Sequence, residues 1–441
     1  MKTFIRATLI LAVTAFVGEC MEFVMNMVLA KELGEKGLGL YMSILPTIFL
    51  VVVLASFELP ISVSKLVAEK DEIYHRSILS QVTKFAILFT IFFLALATIV
   101  LPHVPIFNAY HPFVKWLILI LIPIVSFSSI ARGFFMGTHD MGKIAVSNFL
   151  RRALQLFILV FIFQMLDFKA NTAVFLALCA IVASEIGVFG YLFLEYIVRL
   201  RHLQGQPRSD LNKNLVRESL LFVSVPTTGL RIFHALTHAV QPFLIKAALL
   251  KAGLSVDMAT EQFGLLAGVA LTIGFFPAFI AHSMLIVLIP TVSKAKSQRD
   301  YPLLQALLRR VMKFTFIYGI PSVLIFYFFA EPLTKLFFDS NEATTYLQML
   351  WPYFLFHFFV IPMQAYLIGL GLIKDAFFHQ LWTAFISFSI MFVLGSFQSL
   401  QMDGVIIGMN MGAVLLMLLH YLTICKKIEV SVFTRKVVKQ I

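Results

Sequence analysis

Apolar stretches of membrane-spanning length divide almost the whole chain. A helix needs about 20 mostly apolar residues to cross the hydrocarbon core of a bilayer. A hydrophobic fraction of 60% and a mean hydropathy of +0.92 also exclude a soluble globular protein. The pattern therefore predicts an all-α polytopic membrane protein with about 12 transmembrane helices. The predicted spans are residues 4–30, 40–63, 85–101, 116–137, 143–165, 170–195, 219–250, 263–290, 311–329, 346–368, 376–394 and 404–421.

The loops between these stretches alternate between basic and non-basic. With the N-terminus placed in the cytoplasm, loops on that side hold 25 of the 35 Lys and Arg residues, and the opposite loops hold 7. Basic loops stay on the cytoplasmic side, so the sequence predicts a multi-pass protein of the cell membrane with both termini inside. The net charge of +12 then follows from topology and indicates no nucleic-acid partner.

The chain carries no recognisable enzyme motif. It has no Gly-rich loop ending in Gly-Lys-Ser/Thr and no HExxH sequence. Cys20, Cys179 and Cys425 have no metal-ligand spacing. We expect a transporter without its own ATP hydrolysis, with no cofactor and no metal.

Weak internal similarity predicts two six-helix lobes. Pro60–Lys65 and Pro290–Lys294 end the second and eighth spans, and Pro123 with Gly133 resembles Pro362 with Gly371 in the fourth and tenth. Many transporters are built from such repeats. The predicted parts are an N-terminal lobe at 1–195, a basic cytoplasmic linker at 196–218, a C-terminal lobe at 219–425 and a basic cytoplasmic tail at 426–441.

Several distinctive blocks of sequence lie in the two halves of the chain: Gly34–Tyr41, Leu59–Glu69, Phe127–Gly137 with Met141, and Phe276–Pro277 through Pro290–Lys294. Together they resemble stage V sporulation protein B and related polysaccharide exporters. The resemblance places the chain in the multidrug/oligosaccharidyl-lipid/polysaccharide (MOP) flippase superfamily, near a shorter sporulation paralogue. It implies two lobes around a central cavity that opens alternately to each side of a bacterial membrane.

Two sets of polar residues share helix faces at membrane depth. The first is Glu19, Glu22 and Asn26, and the second is Arg231 with His234 and His238. Ionisable groups at this depth usually face a bundle interior or a wet cavity. One interpretation makes the two faces opposite walls of the cavity. The arginine would bind a pyrophosphate, and a glutamate would carry a proton or pair with the arginine between substrates. The alternative is a structural ion pair.

A third polar set favours a structural role. Arg151 and Arg152 lie about 12 Å inside the fifth span, within reach of the interface, and Glu185 at similar depth is a partner for either. Glu58, just before Pro60, is expected to be solvated near the cytoplasmic surface or to take part in a coupling or structural ion pair. Residues 34–39 predict a tight extracellular turn.

These observations predict a flippase or exporter that moves a lipid-linked cell-wall or polysaccharide precursor outward by alternating access. A role in the spore envelope or in peptidoglycan synthesis rests on the resemblance alone. As the resemblance has it, relatives usually carry a basic residue where Glu19 stands. Two alternatives therefore stay open: a cation-coupled multidrug-type extruder and a non-transporting scaffold for cell-wall enzymes. The expected partners are a lipid-linked oligosaccharide or similar amphipathic substrate and membrane lipids, and a monomer is compatible with this function.

Overall fold

The computed structural model describes residues 2–165, 170–204, 209, 211, 213–337 and 341–429, and these contain helices but no strand. The all-α prediction is confirmed. The helices are α1 (Lys2–Ser56), α2 (Leu59–Ala68), α3 (Glu72–Val100), α4 (Val114–Gly137), α5 (Met141–Met165), α6 (Ala170–Gln204), α7 (Lys213–Lys251), α8 (Val256–Gly264), α9 (Leu271–Phe275), α10 (Ala278–Ser297), α11 (Tyr301–Phe328), α12 (Ala330–Thr334), α13 (Asn341–Met349), α14 (Trp351–Gly369), α15 (Ile373–Gly395) and α16 (Met402–Lys427).

Eleven helical segments of the described residues are long and apolar enough to cross a membrane. The count differs from the twelve predicted spans for three reasons. The first two spans form one continuous segment, Phe16–Ala68. The predicted span at 263–290 corresponds to two segments, Val256–Phe275 and Ala278–Ser297. The predicted span at 219–250 is helical in α7 but is not among the eleven segments.

The predicted turn at 34–39 is wrong in extent. One residue, Gly34, breaks the helix with φ 67° and ψ 174°. Helix resumes directly after it and includes Gly37 and Gly39. Glycine has no Cβ to clash at positive φ, so a single residue suffices where the sequence suggested a loop.

The chain forms two compact units. The N-terminal unit is Glu32–Val240, and the composite unit is Met1–Lys31 with Gln241–Ile441. The first half of α1 therefore belongs to the same compact unit as residues late in the chain. Most of α7 belongs to the N-terminal unit. The six-helix lobe boundaries are a matter of repeat topology and stay a prediction.

Glycine allows close helix packing inside each unit. In the N-terminal unit, a Cβ on Gly133 of α4 would lie 2.7 Å from the Val63 Cβ of α2. In the composite unit, a Cβ on Gly369 of α14 would lie 2.8 Å from the Val292 Cβ of α10. Both valines belong to the two similar segments noted in the sequence. Gly371, which the sequence comparison pairs with Gly133, instead follows the helix end with φ 69°.

The described part of the predicted linker packs on α3. The Ser209 amide donates to the Ile73 carbonyl at 3.2 Å, and Gln81 Nε2 donates to the Leu211 carbonyl at 3.0 Å. Residues 205–208, 210 and 212 of this segment, and 430–441 of the predicted tail, lie outside the described residues.

Candidate functional site

A two-residue break between α1 and α2 positions the first functional side chain. Phe57 and Glu58 both have left-handed backbone, with φ 45° and 47°, and Pro60 follows in the first turn of α2. Left-handed conformation is costly for residues other than glycine. Such strain persists when the surrounding structure enforces it, and it is often found at functional sites. Here it accompanies a carboxylate that is buried in the protein.

Glu58 is paired with Arg231 of α7. Arg231 Nη1 donates to Glu58 Oε1 at 2.5 Å, and the exposed fraction is 1% for the Glu58 side chain and 49% for that of Arg231. A second contact joins the same helices, because Ser224 Oγ donates to Ser62 Oγ at 2.8 Å. The pair is therefore asymmetric: the carboxylate is sealed in protein, while half of the arginine side chain is accessible.

The prediction that Glu58 is solvated is wrong. Its position near the cytoplasmic end of the second predicted span suggested a residue at the membrane surface. The left-handed break instead places its carboxylate inside the N-terminal unit. The sequence suggested Glu19 or Glu22 as the partner of Arg231. In the structure, Arg231 is paired with Glu58.

Glu19, Glu22 and Asn26 belong to the composite unit. Both glutamates are partly buried, and Asn26 Nδ2 donates to Thr272 Oγ1 at 3.3 Å. Their predicted position opposite the arginine of α7 stays a prediction.

The histidines after Arg231 remain accessible on α7. His234 is partly exposed and His238 is exposed. They follow Arg231 by three and seven residues, so the three side chains share one helix face. This face is the polar surface that the sequence predicted for the seventh span.

A second charged cluster joins α4, α5 and α6 in the N-terminal unit. Arg151 Nη1 lies 3.3 Å from Glu185 Oε1, the pairing that the sequence allowed for either Arg151 or Arg152. Arg132 Nη1 donates to Asn148 Oδ1 at 3.4 Å, and its guanidinium also interacts electrostatically with Arg151 and Glu185. Arg152 follows directly on α5 and is partly buried.

Arg132 is a candidate that the site prediction from the sequence omits. It lies only five residues before the end of α4, about 8 Å along the helix, and so resembles an ordinary residue of the membrane surface. The usable signal was the set of polar residues on α5, which are Asn148, Arg151, Arg152 and Gln155. Polar residues within a span require polar neighbours on the helices that pack beside it.

The Glu58–Arg231 pair and the cluster of α4, α5 and α6 both contain guanidinium groups with N–H donors beyond those used in the hydrogen bonds described above. Arginine has five N–H donors in a planar fork that matches carboxylate and phosphate groups. One donor of Arg231 is directed at Glu58, and one of Arg132 at an uncharged amide oxygen. The arrangement is suited to binding anions and shows no set of groups arranged for covalent catalysis within the described residues.

Comparison with known families matches most of the chain. Residues 4–296 match the model of the polysaccharide biosynthesis protein family, and residues 266–378 match the MatE model. The chain is 52% identical over 433 residues to the sporulation protein YkvU of Bacillus subtilis, covering 98% of this chain and 97% of that protein. It is 30% identical over 442 residues to stage V sporulation protein B of the same organism, covering 98% and 85%.

Solved structures show the same fold at low sequence identity. An inward-facing multidrug resistance MATE family transporter of the MOP superfamily superposes with a TM-score of 0.72 at 15% identity, covering 95% of this chain and 98% of the other. A MOP superfamily transporter from Pyrococcus furiosus, whose description reports a binding pocket of reverse polarity, gives 0.64 at 15% identity, covering 96% and 95%. The chain therefore belongs to the polysaccharide biosynthesis protein family and has the fold of MOP superfamily transporters.

Proposed function

We propose that this protein flips a lipid-linked cell-wall or polysaccharide precursor across the bacterial cytoplasmic membrane by alternating access. The observation that carries the proposal is the asymmetric pair of buried Glu58 and half-exposed Arg231. The similarity to two sporulation proteins supports a role in making the spore envelope. Both termini are placed in the cytoplasm, on the charge asymmetry of the loops.

In this proposal Arg231 exchanges partners during transport. Without substrate, Glu58 neutralises the arginine and limits the cost of a charge at membrane depth. The pyrophosphate of an arriving precursor offers more acceptor oxygens and charge-assisted hydrogen bonds to the accessible side of the guanidinium. Release of the precursor returns the arginine to Glu58. The buried carboxylate thus competes with substrate and keeps binding reversible.

The test is movement of a labelled lipid-linked precursor in sealed vesicles that contain the purified protein. Arg231→Ala should reduce movement to background, because the anion site loses its cation. Glu58→Gln removes the competitor, so it should bind precursor more tightly and release it more slowly. Arg309→Gln is the matched control, since Arg309 is an exposed arginine of α11. Movement by Arg231→Ala at the wild-type rate would refute the proposal.

A cation-coupled extruder of small amphipathic molecules is the second candidate. The observation in its favour is a pair of partly buried carboxylates, Glu19 and Glu22, on the apolar helix α1. Such groups suit an exchange of protons or other cations for a cationic substrate. Efflux of a fluorescent organic cation that is lost in Glu19→Gln, with no movement of lipid-linked precursor, would favour this candidate.

A further inference from the structure

The α5 helix has two opposite faces. Its exposed aromatic residues Phe149, Phe157 and Phe161 lie on one side. The polar residues Asn148, Arg151 and Gln155, at 100° of rotation per residue, centre about 180° away. The aromatic face suits lipid, so the polar face must meet protein or water.

Several groups on the polar face are accessible at membrane depth. Asn148 is exposed, and the exposed fraction of the Arg151 side chain is 38%. Arg151 lies ten residues from the start of α5, about 15 Å along the helix. A charged side chain that is accessible at this depth, and that points away from the lipid face, borders a water-filled space.

The cluster on this face is short of negative charge. Arg132 and Arg151 bring two guanidinium groups to one carboxylate, Glu185, whose side chain is 13% exposed and is already paired with Arg151. Among the described residues, the hydrogen bond of Arg132 goes to the neutral Asn148 amide. Two like charges near each other repel, and an anion would relieve this repulsion.

We propose that Arg132, Asn148 and Arg151 form a phosphate-binding subsite, separate from Arg231, for the diphosphate of a polyprenyl-linked sugar. The inference rests on the proposed function and names a second place where the same anionic class binds. Arg132 supplies a guanidinium whose hydrogen bond goes to a neutral amide. Asn148 supplies an amide N–H, and Arg151 contributes charge while it stays paired with Glu185. The position near one end of α4 suits a precursor that is entering or leaving the cavity.

Binding to the purified protein in detergent tests the subsite without measuring transport. Farnesyl diphosphate and inorganic pyrophosphate are the probes, titrated by calorimetry against wild type, Arg132→Gln, Glu185→Gln and the control Arg309→Gln. Arg132→Gln should weaken binding of farnesyl diphosphate about tenfold, the loss expected for a charge-assisted hydrogen bond. Glu185→Gln should strengthen binding several-fold, because it frees the Arg151 guanidinium. A purely structural cluster would give no such gain.

The inference is overturned if Arg132→Gln stays folded and binds farnesyl diphosphate within about twofold of wild type, or if Glu185→Gln gains no affinity. Competition by phosphatidylglycerol micelles at equal concentration would assign the subsite to membrane lipid and would also refute it. The two proposals fail separately. Arg132-dependent binding without precursor movement in vesicles would refute the flippase, whereas Arg231-dependent movement with unaltered Arg132→Gln binding would refute the subsite.

Discussion

Breaking the Glu58–Arg231 pair from either side should have unequal costs. Arg231→Met leaves a carboxylate that is 1% exposed without its cation. Removing one partner of a buried pair typically costs about 3–5 kcal/mol. Glu58→Gln instead leaves Arg231, whose side chain is 49% exposed. Water can solvate that arginine, so we expect a loss of about 1 kcal/mol after allowing for screening.

The assay is equilibrium unfolding of the detergent-solubilised protein, followed by helical circular dichroism. Wild type, both single variants and the double variant complete a double-mutant cycle. The double variant should be more stable than Arg231→Met alone, because no buried charge is left unpaired. Glutamine is preferred to glycine at position 58, where φ is 47°, since glycine would also relieve the left-handed strain.

Arg309→Met provides the baseline for an exposed arginine, with an expected change within about 0.5 kcal/mol. Equal costs for Arg231→Met and Glu58→Gln, or a larger cost for the glutamine, would refute the asymmetry deduced from burial. The reasoning would also fail if the double variant were as unstable as the sum of the two single variants.

Three further predictions concern packing and hydrogen bonds. Gly133→Ala should lose about 1–3 kcal/mol by overpacking, since its Cβ would lie 2.7 Å from that of Val63. Gly190→Ala, with nothing within 4 Å, should gain about 0.5–1 kcal/mol, and thermal unfolding distinguishes the two. Thr90→Val should cost about 1–3 kcal/mol, because it leaves the buried Ser126 hydroxyl without its 2.7 Å donor. Adding Ser126→Ala should recover part of that loss in the same unfolding assay. Tyr110→Phe removes a 2.9 Å hydrogen bond to the Leu40 carbonyl and should cost about 1 kcal/mol. Burial raises the pKa of Tyr110 above its ordinary value of 10.0, so the neutral donor form persists in the folded state. This contribution is full below the ordinary pKa and is lost only as pH rises through the raised one, so the difference from wild type should stay constant from about pH 6 to about pH 9.

Hydrophobic periodicity and length were enough to predict the fold class. Each predicted span needs only an apolar run of sufficient length, and the structure has helix at all twelve places. The two segments that contain Val63 and Val292 were recognisable as similar in the sequence, but their packing against glycine is known only from the structure.

The position of Glu58 could not be deduced in the same way. A hydropathy profile assigns a residue's depth as if the helix were continuous. Two left-handed residues change the direction of the chain over a step of about 4 Å per residue, and the profile does not register that change. The strain at Phe57 and Glu58 depends on the surrounding packing. Neither residue is a glycine, so the sequence gives no sign of a positive φ at this point. Arg132 was missed for a related reason. Its depth in the fourth span followed from the sequence, but the sequence did not show that Asn148 of α5 would lie beside it.

Grouping the first half of α1 with residues 241–441 has a consequence for how this protein is made. Phe23 packs against Phe276 and Phe337, with ring centroids 5.5 Å and 5.3 Å apart. Ribosomes add about 5–20 residues per second, so the opening segment waits roughly 12–60 s after its own synthesis for these partners. During that interval it must remain in the bilayer without its native neighbours. A gene cut between the predicted lobes would place the segment and these partners on different polypeptides, so the two halves should be recovered as a folded protein only when they are produced together.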